Sequence, residues 1–134
     1  MRITADTNVL VRAALGDDPD QAPLAEEALR EAEMIAVPVP VLCEFVWVLA
    51  RGYQRERADI AESIRRLIDS ATVEVDRPVV EAGLRFLEEG GDFADGVIVF
   101  EGRRLGGEVF VSFDEGAVRL AREAGARTRL LPRG

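Results

Sequence analysis

Ile3-Thr4-Ala5-Asp6-Thr7-Asn8-Val9-Leu10-Val11-Arg12 is the stretch on which the fold turns. Ile3 to Ala5 is a short run of strand character that stops at an acid. Val9-Leu10-Val11, continued by Ala13-Ala14-Leu15, then opens an amphipathic segment. A strand running through an acid into a helix is the first half of a βα unit, and open parallel sheets bind ligands beyond the carboxyl ends of their strands.

The alternation continues along the chain. Gly16 to Asp20 carries helix-start chemistry, and Leu24, Ala25, Ala28, Leu29 and Ala32 follow at helical spacing. Met34 to Val37 reads as a second strand. Pro40 suits the first turn of a helix reaching about Arg51, and Glu56 to Asp69 reads as a further helix. Val73-Glu74-Val75 is a third strand, followed by a helix from Val79 to Leu87 that stops at Gly90-Gly91. Phe93 to Leu105 is expected to be helical, with Val97, Ile98, Phe100 and Leu105 buried. Val109-Phe110-Val111 is a fourth strand, Ala117 to Ala124 a last helix, and Arg127 to Leu131 has the pattern of a fifth, edge strand. Short apolar strands alternating with helices predict an α/β domain with a parallel sheet covered on both faces. No repeat, low-complexity tract or linker interrupts residues 1–134, so one domain is expected.

Composition restricts the chemistry. The chain has 134 residues, 48% hydrophobic and 31% charged, the balance of a folded globular protein. The longest apolar run, residues 35–42, is too short to cross a bilayer, and no apolar signal segment opens the chain, so a cytoplasmic protein is expected. A single cysteine, Cys43, excludes an internal disulfide framework. Histidine is absent, which excludes Ser-His-Asp triads and His-ligated zinc. All 17 basic residues are arginine, so Schiff-base lysines and the P-loop lysine are excluded too. What remains in quantity is carboxylate, a ligand for hard cations such as Mg²⁺ or Mn²⁺. The net charge of −8 advertises no basic patch for a phosphate backbone.

Four acids fall where loops meet helix starts. Asp6 follows the first strand and Asp114 the fourth; Asp95 sits in the first turn after Gly90-Gly91, and Glu44 early in the helix after the second strand. All four can converge on one sheet edge. Taken singly, Asp6, Asp92 and Asp114 read as helix N-caps and Asp95 as a first-turn acid favoured by the helix dipole. Glu44, among Val41, Leu42, Cys43, Phe45, Val46, Trp47 and Val48, is expected in apolar surroundings. An ionised acid there costs several kcal/mol unless it binds a metal or pairs, Arg12 and Arg51 being the candidate partners. Two carboxylates about 4 Å apart repel by roughly 4 kcal/mol at an effective dielectric near 20, and a divalent cation turns that repulsion into coordination. Thr7, Asn8 and Ser112 have groups that orient ligands or water around such an ion; ordinary capping and turn bonding is the competing role. Arg103-Arg104 complement a helix dipole, and Arg12, Arg51 and Arg55 are open to phosphate or to ion pairing. Trp47 is expected in the core, a dimer interface being the alternative for its helix.

At these positions the chain resembles the PIN-domain nucleases, nearest to the VapC-type toxins of toxin–antitoxin pairs. The carriers are Asp6-Thr7-Asn8-Val9-Leu10-Val11-Arg12, Cys43-Glu44-Phe45, Asp92-Phe93-Ala94-Asp95-Gly96-Val97-Ile98 and Ser112-Phe113-Asp114, in that order. The resemblance implies a three-layer α/β/α sandwich with a short central parallel sheet. It implies Mg²⁺- or Mn²⁺-dependent endoribonuclease activity on structured RNA, of tRNA or rRNA type, with Asp6, Glu44, Asp95 and Asp114 as metal-binding acids and Asp92 as an auxiliary. Homodimerisation and inhibition by a VapB-type antitoxin are further implications. Gly96 stands where an alanine is usual and is expected to loosen its helix start; Glu115 adds an acid beside Asp114.

Receiver domains and haloacid-dehalogenase-type phosphatases also gather acids at strand ends. Both need a lysine, and the phosphatase wants an acid where Asn8 stands. A non-catalytic PIN-like binding module, or a nuclease of the same fold acting on DNA, are the alternatives that the acids alone do not separate from a ribonuclease.

Overall fold

A computed structural model describes residues 1–133 as two compact units, residues 1–77 and 78–133. The first holds three parallel strands in spatial order β1 (Arg2–Thr4), β2 (Met34–Ala36) and β3 (Val73–Glu74). Ile3 pairs with Ile35, and Ile35 with Val73. Around them lie α1 (Thr7–Leu15), α2 (Gln21–Glu31), α3 (Val39–Trp47) and α4 (Arg57–Ile68). Their apolar stripes supply the core: Leu10 and Val11 from α1, Leu42, Phe45 and Val46 from α3, and Ile60, Ile64 and Ile68 from α4. Each fully buried side chain of this size contributes about 1.5–3 kcal/mol over leaving it exposed.

The local signals place the element ends. α1 stops at Gly16, whose φ of +64° is the left-handed conformation glycine adopts without strain, and whose N–H donates to the Arg12 carbonyl. Asp18 Oδ1 then accepts from the N–H groups of Asp20 and Gln21, at 2.9 and 2.7 Å, to start α2. α3 ends four residues short of the expected Arg51. Val48 to Gly52 widens into a π-type turn, and the Arg55 N–H donates to the Leu49 carbonyl beyond it.

The second unit contains all but the first residue of α5 (Arg77–Glu88), with α6 (Phe93–Arg104), β4 (Val109–Ser112), α7 (Glu115–Glu123) and β5 (Arg127–Leu130). β4 and β5 are parallel, with Phe110 opposite Thr128 and Ser112 opposite Leu130. Phe110 packs against a cluster of Phe86, Val99, Leu120 and Ala121, so the sheet pair rests on α5, α6 and α7. Gly96 does not loosen α6. A Cβ there would lie 2.5 Å from the Ala82 carbonyl oxygen, and one on Gly83 would lie 2.6 Å from the Phe93 ring, so glycines let α5 and α6 approach closely.

The α/β class, the parallel pairing and all twelve expected strands and helices are present. Three apolar side chains expected to be buried are exposed. Ile98 is 55% exposed and Leu105 88%, because α6 turns its buried face through Phe93, Gly96, Val97 and Val99. Trp47 is 62% exposed, since α3 buries Leu42, Phe45 and Val46 on its other side.

Candidate active site

Asp6, Asp92 and Asp114 each owe their place to a helix start. Asp6 lies just past β1, separated from its end at Thr4 by Ala5, and caps α1, its Oδ1 accepting from the Val9 N–H at 3.1 Å. Asp92 caps α6 by accepting from the Ala94 N–H at 3.1 Å, and Asp114 caps α7 by accepting from the Ala117 N–H at 3.0 Å. The capping role read for these three is therefore real. Each cap engages Oδ1, and a carboxylate has a second oxygen and about four acceptor sites in all. Capping thus fixes the carboxylate rather than consuming it.

Glu44 departs from expectation. It is exposed on α3 rather than set in apolar surroundings, and its Oε1 accepts from Thr7 Oγ1 at 3.1 Å. The helix periodicity explains this: Leu42, Phe45 and Val46 take the inner face, and Glu44 falls on the outer one. Its partner is a hydroxyl, not Arg12 or Arg51. Arg12 is held elsewhere, donating to the Tyr53 hydroxyl and lying 3.8 Å from Asp17 and 4.0 Å from Asp18. It also stacks on the Tyr53 ring, so ion pairing is its role here. Arg104 pairs with Glu101 at 3.4 Å and lies over the Phe100 ring.

Asp95 is a candidate acid whose chemistry is perturbed by its surroundings. Burial, followed by the charges of Asp92 and Asp114, pushes its carboxyl above the ordinary range. Asp95 thus lies in the field of Asp92 and Asp114 within the second unit. Ser112 Oγ accepts from the Asp114 N–H at 3.0 Å, which is turn bonding that steers the Asp114 backbone. Asn8 is exposed in the first turn of α1.

The first unit therefore brings together Thr7 and Glu44 beside Asp6 at the carboxyl end of β1; the second brings Asp95 into the field of Asp92 and Asp114. Among the described residues no three acids or cysteines stand close enough together to hold a metal ion. The donors are nonetheless of the right kind, hard carboxylate oxygens whose mutual repulsion a divalent cation relieves.

Sequence reading passed over Arg133, whose Nε donates to the Phe113 carbonyl at 3.1 Å, next to Asp114. The available signal was charge distribution. Residues 117–133 hold five arginines (119, 122, 127, 129 and 133) and one acid, Glu123, within a chain of net charge −8.

No helix is long and apolar enough to cross a membrane among the described residues. Residues 3–123 match the model of the PIN domain family. Over 113 residues, 81% of this chain and 84% of the relative, the chain is 26% identical to a VapC ribonuclease of Aquifex aeolicus (strain VF5). With acids at its strand ends and an α/β core of parallel strands, the chain belongs to the PIN domain family.

Proposed function

We propose that the protein is a divalent-metal-dependent endoribonuclease of VapC type, in which residues 1–134 act as one PIN domain and Asp6, Glu44, Asp95 and Asp114 act as one site. Asp95 carries the reading: its half-buried carboxyl, opposed by Asp92 and Asp114, is costly without a cation. The ribonuclease name of the relative supports RNA as the substrate class.

In this reading Asp6, Glu44, Asp95 and Asp114 would hold Mg²⁺ or Mn²⁺. Such an ion, when bound, supplies a Lewis acid that activates water and stabilises charge on a phosphodiester under in-line attack. The chain's own contribution is orientation. Backbone N–H groups fix Asp6 and Asp114, the Thr7 hydroxyl fixes one oxygen of Glu44, and the Ser112 hydroxyl steadies the turn into Asp114. Structured RNA of tRNA or rRNA type is the proposed target, a VapB-type antitoxin the proposed inhibitor, a homodimer the proposed assembly and the cytoplasm the proposed location.

The test is incubation of antitoxin-free protein with a panel of RNAs and matched 2′-deoxy oligonucleotides, in Mg²⁺, Mn²⁺ or EDTA. Cleavage of RNA alone, abolished by EDTA, is expected. Cleavage of the deoxy substrates would favour a DNA nuclease, and no cleavage from folded protein would favour a binding module.

A further inference from the structure

The acidity of the chain leaves open what holds a polyanion beside an acidic site. β5 answers this. Along it Thr128 faces α7, its hydroxyl accepting from Arg122 at 3.0 Å, so by strand alternation Arg127 and Arg129 point to the opposite face. Their register partners on β4 are Val109 and Val111, 40% and 49% exposed, and both arginines are exposed as well. Neither arginine makes an ion pair among the described residues, unlike Arg119, which lies 3.7 Å from Glu123. The pairing of β4 and β5 runs on past the strands, with the Leu131 N–H donating to the Ser112 carbonyl at 2.8 Å. Arg133 then reaches the Phe113 carbonyl. Here the chain lines an open cleft of about 630 Å³ with Phe113, Asp114, Leu130, Pro132 and Arg133 among its walls, and the Phe113 ring is 53% exposed.

We infer that β5 and the residues after it form the RNA-binding track of the protein: Arg127, Arg129 and Arg133 contact successive phosphates of a single strand, and Phe113 stacks a base in the cleft beside Asp114. This rests on the nuclease reading and supplies its missing substrate surface. Arginines two residues apart on a strand stand about 6.6 Å apart, along a line leading toward the acid. Five arginines against one acid give residues 117–133 a charge complementary to RNA within a chain of net charge −8. An exposed aromatic ring next to them provides a sequence-tolerant stacking platform.

The test uses full-length protein carrying Asp95→Asn, so that RNA is bound without being cut, and a fluorescent single-stranded RNA read by anisotropy over a series of salt concentrations. The triple variant Arg127→Gln, Arg129→Gln, Arg133→Gln is expected to bind at least about tenfold more weakly, with a log–log salt slope shallower by about 2, three phosphates at about 0.7 each. Phe113→Leu is expected to weaken binding about fivefold or more with the slope unchanged, because stacking carries no charge. A charge-matched control, Arg30→Gln, Arg66→Gln, Arg85→Gln, is expected to match the parent. Circular dichroism verifies that each variant is folded. Equal weakening by the control triple, or unchanged binding by the β5 triple, overturns the inference, as does a β5 triple that alters only self-association. Protein that cuts RNA but binds it equally well without these arginines sinks the track alone; protein that neither cuts nor binds any RNA sinks the nuclease reading with it.

Discussion

Thr7 Oγ1 donates to Glu44 Oε1 at 3.1 Å, tying the first turn of α1 to α3, 37 residues apart in sequence. The bond is solvent-exposed, so its net worth to folding is small, about 0.5–1.5 kcal/mol at most. Its value lies in orientation: an exposed Glu has three free torsions, and a fixed donor selects among them.

Thr7→Val is therefore expected to change stability by no more than about 1 kcal/mol and yet to slow RNA cleavage several-fold, with Thr7→Ser restoring it. Single-turnover rates beside urea melts check this. A variant with wild-type rate would leave the Thr7 bond without a role in the site.

Capping and catalysis separate cleanly at Asp114. Asparagine keeps the acceptor that bonds the Ala117 N–H but carries no charge, whereas alanine loses both. Asp114→Ala is expected to cost about 1 kcal/mol of stability, Asp114→Asn only a few tenths, and both to abolish cleavage. Retained activity in a folded Asp114→Asn protein would reduce this acid to a helix cap.

Asp95 makes stability depend on pH in the sense opposite to a salt-bridged acid. Burial, then Asp92 and Asp114, raise its native pKa above the ordinary 3.8. Its proton is held more tightly folded than unfolded, so its contribution is full below 3.8 and is lost as pH rises through the native value. In EDTA at neutral pH, Asp95→Asn is expected to melt above wild type. Mg²⁺ is expected to raise the Tm of wild type and to leave that of the variant nearly unchanged. A variant that melts no higher than wild type in EDTA would contradict the repulsion assigned to Asp95.

Gly96 tests the packing beneath the site. A methyl group 2.5 Å from the Ala82 carbonyl forces α5 and α6 apart, so Gly96→Ala is expected to destabilise by about 1–3 kcal/mol despite its better helix propensity. Urea midpoints measure it; a stabilised variant would mean that the two helices can separate freely.

The strand–helix alternation was legible because each short apolar run is bounded by its own punctuation: Asp6, Gly16, Pro38, Gly90-Gly91 and Gly106-Gly107. The acids were legible as helix starts for the same reason. What sequence could not provide was which way a helix faces when apolar residues surround it. α3 is apolar nearly all round, so periodicity could not tell the outer face, where Glu44 and Trp47 stand, from the inner face of Phe45. Gly96 looked like a weakness in α6 because helix propensity is local, whereas its cause, the Ala82 carbonyl, lies on a neighbouring helix. The arginines of β5 were hidden by the net charge, a sum that conceals where the charges sit.

The central claim is that Asp6 and Asp95 both serve one metal-dependent reaction. The most direct measurement is the rate of RNA cleavage in Mg²⁺ by wild type, Asp6→Asn from the first unit, Asp95→Asn from the second, and the double variant, each verified as folded. The account predicts that either single change removes cleavage and that the double removes no more, since residues acting as one unit are not additive. A folded Asp6→Asn or Asp95→Asn protein that still cuts RNA at the wild-type rate would contradict it.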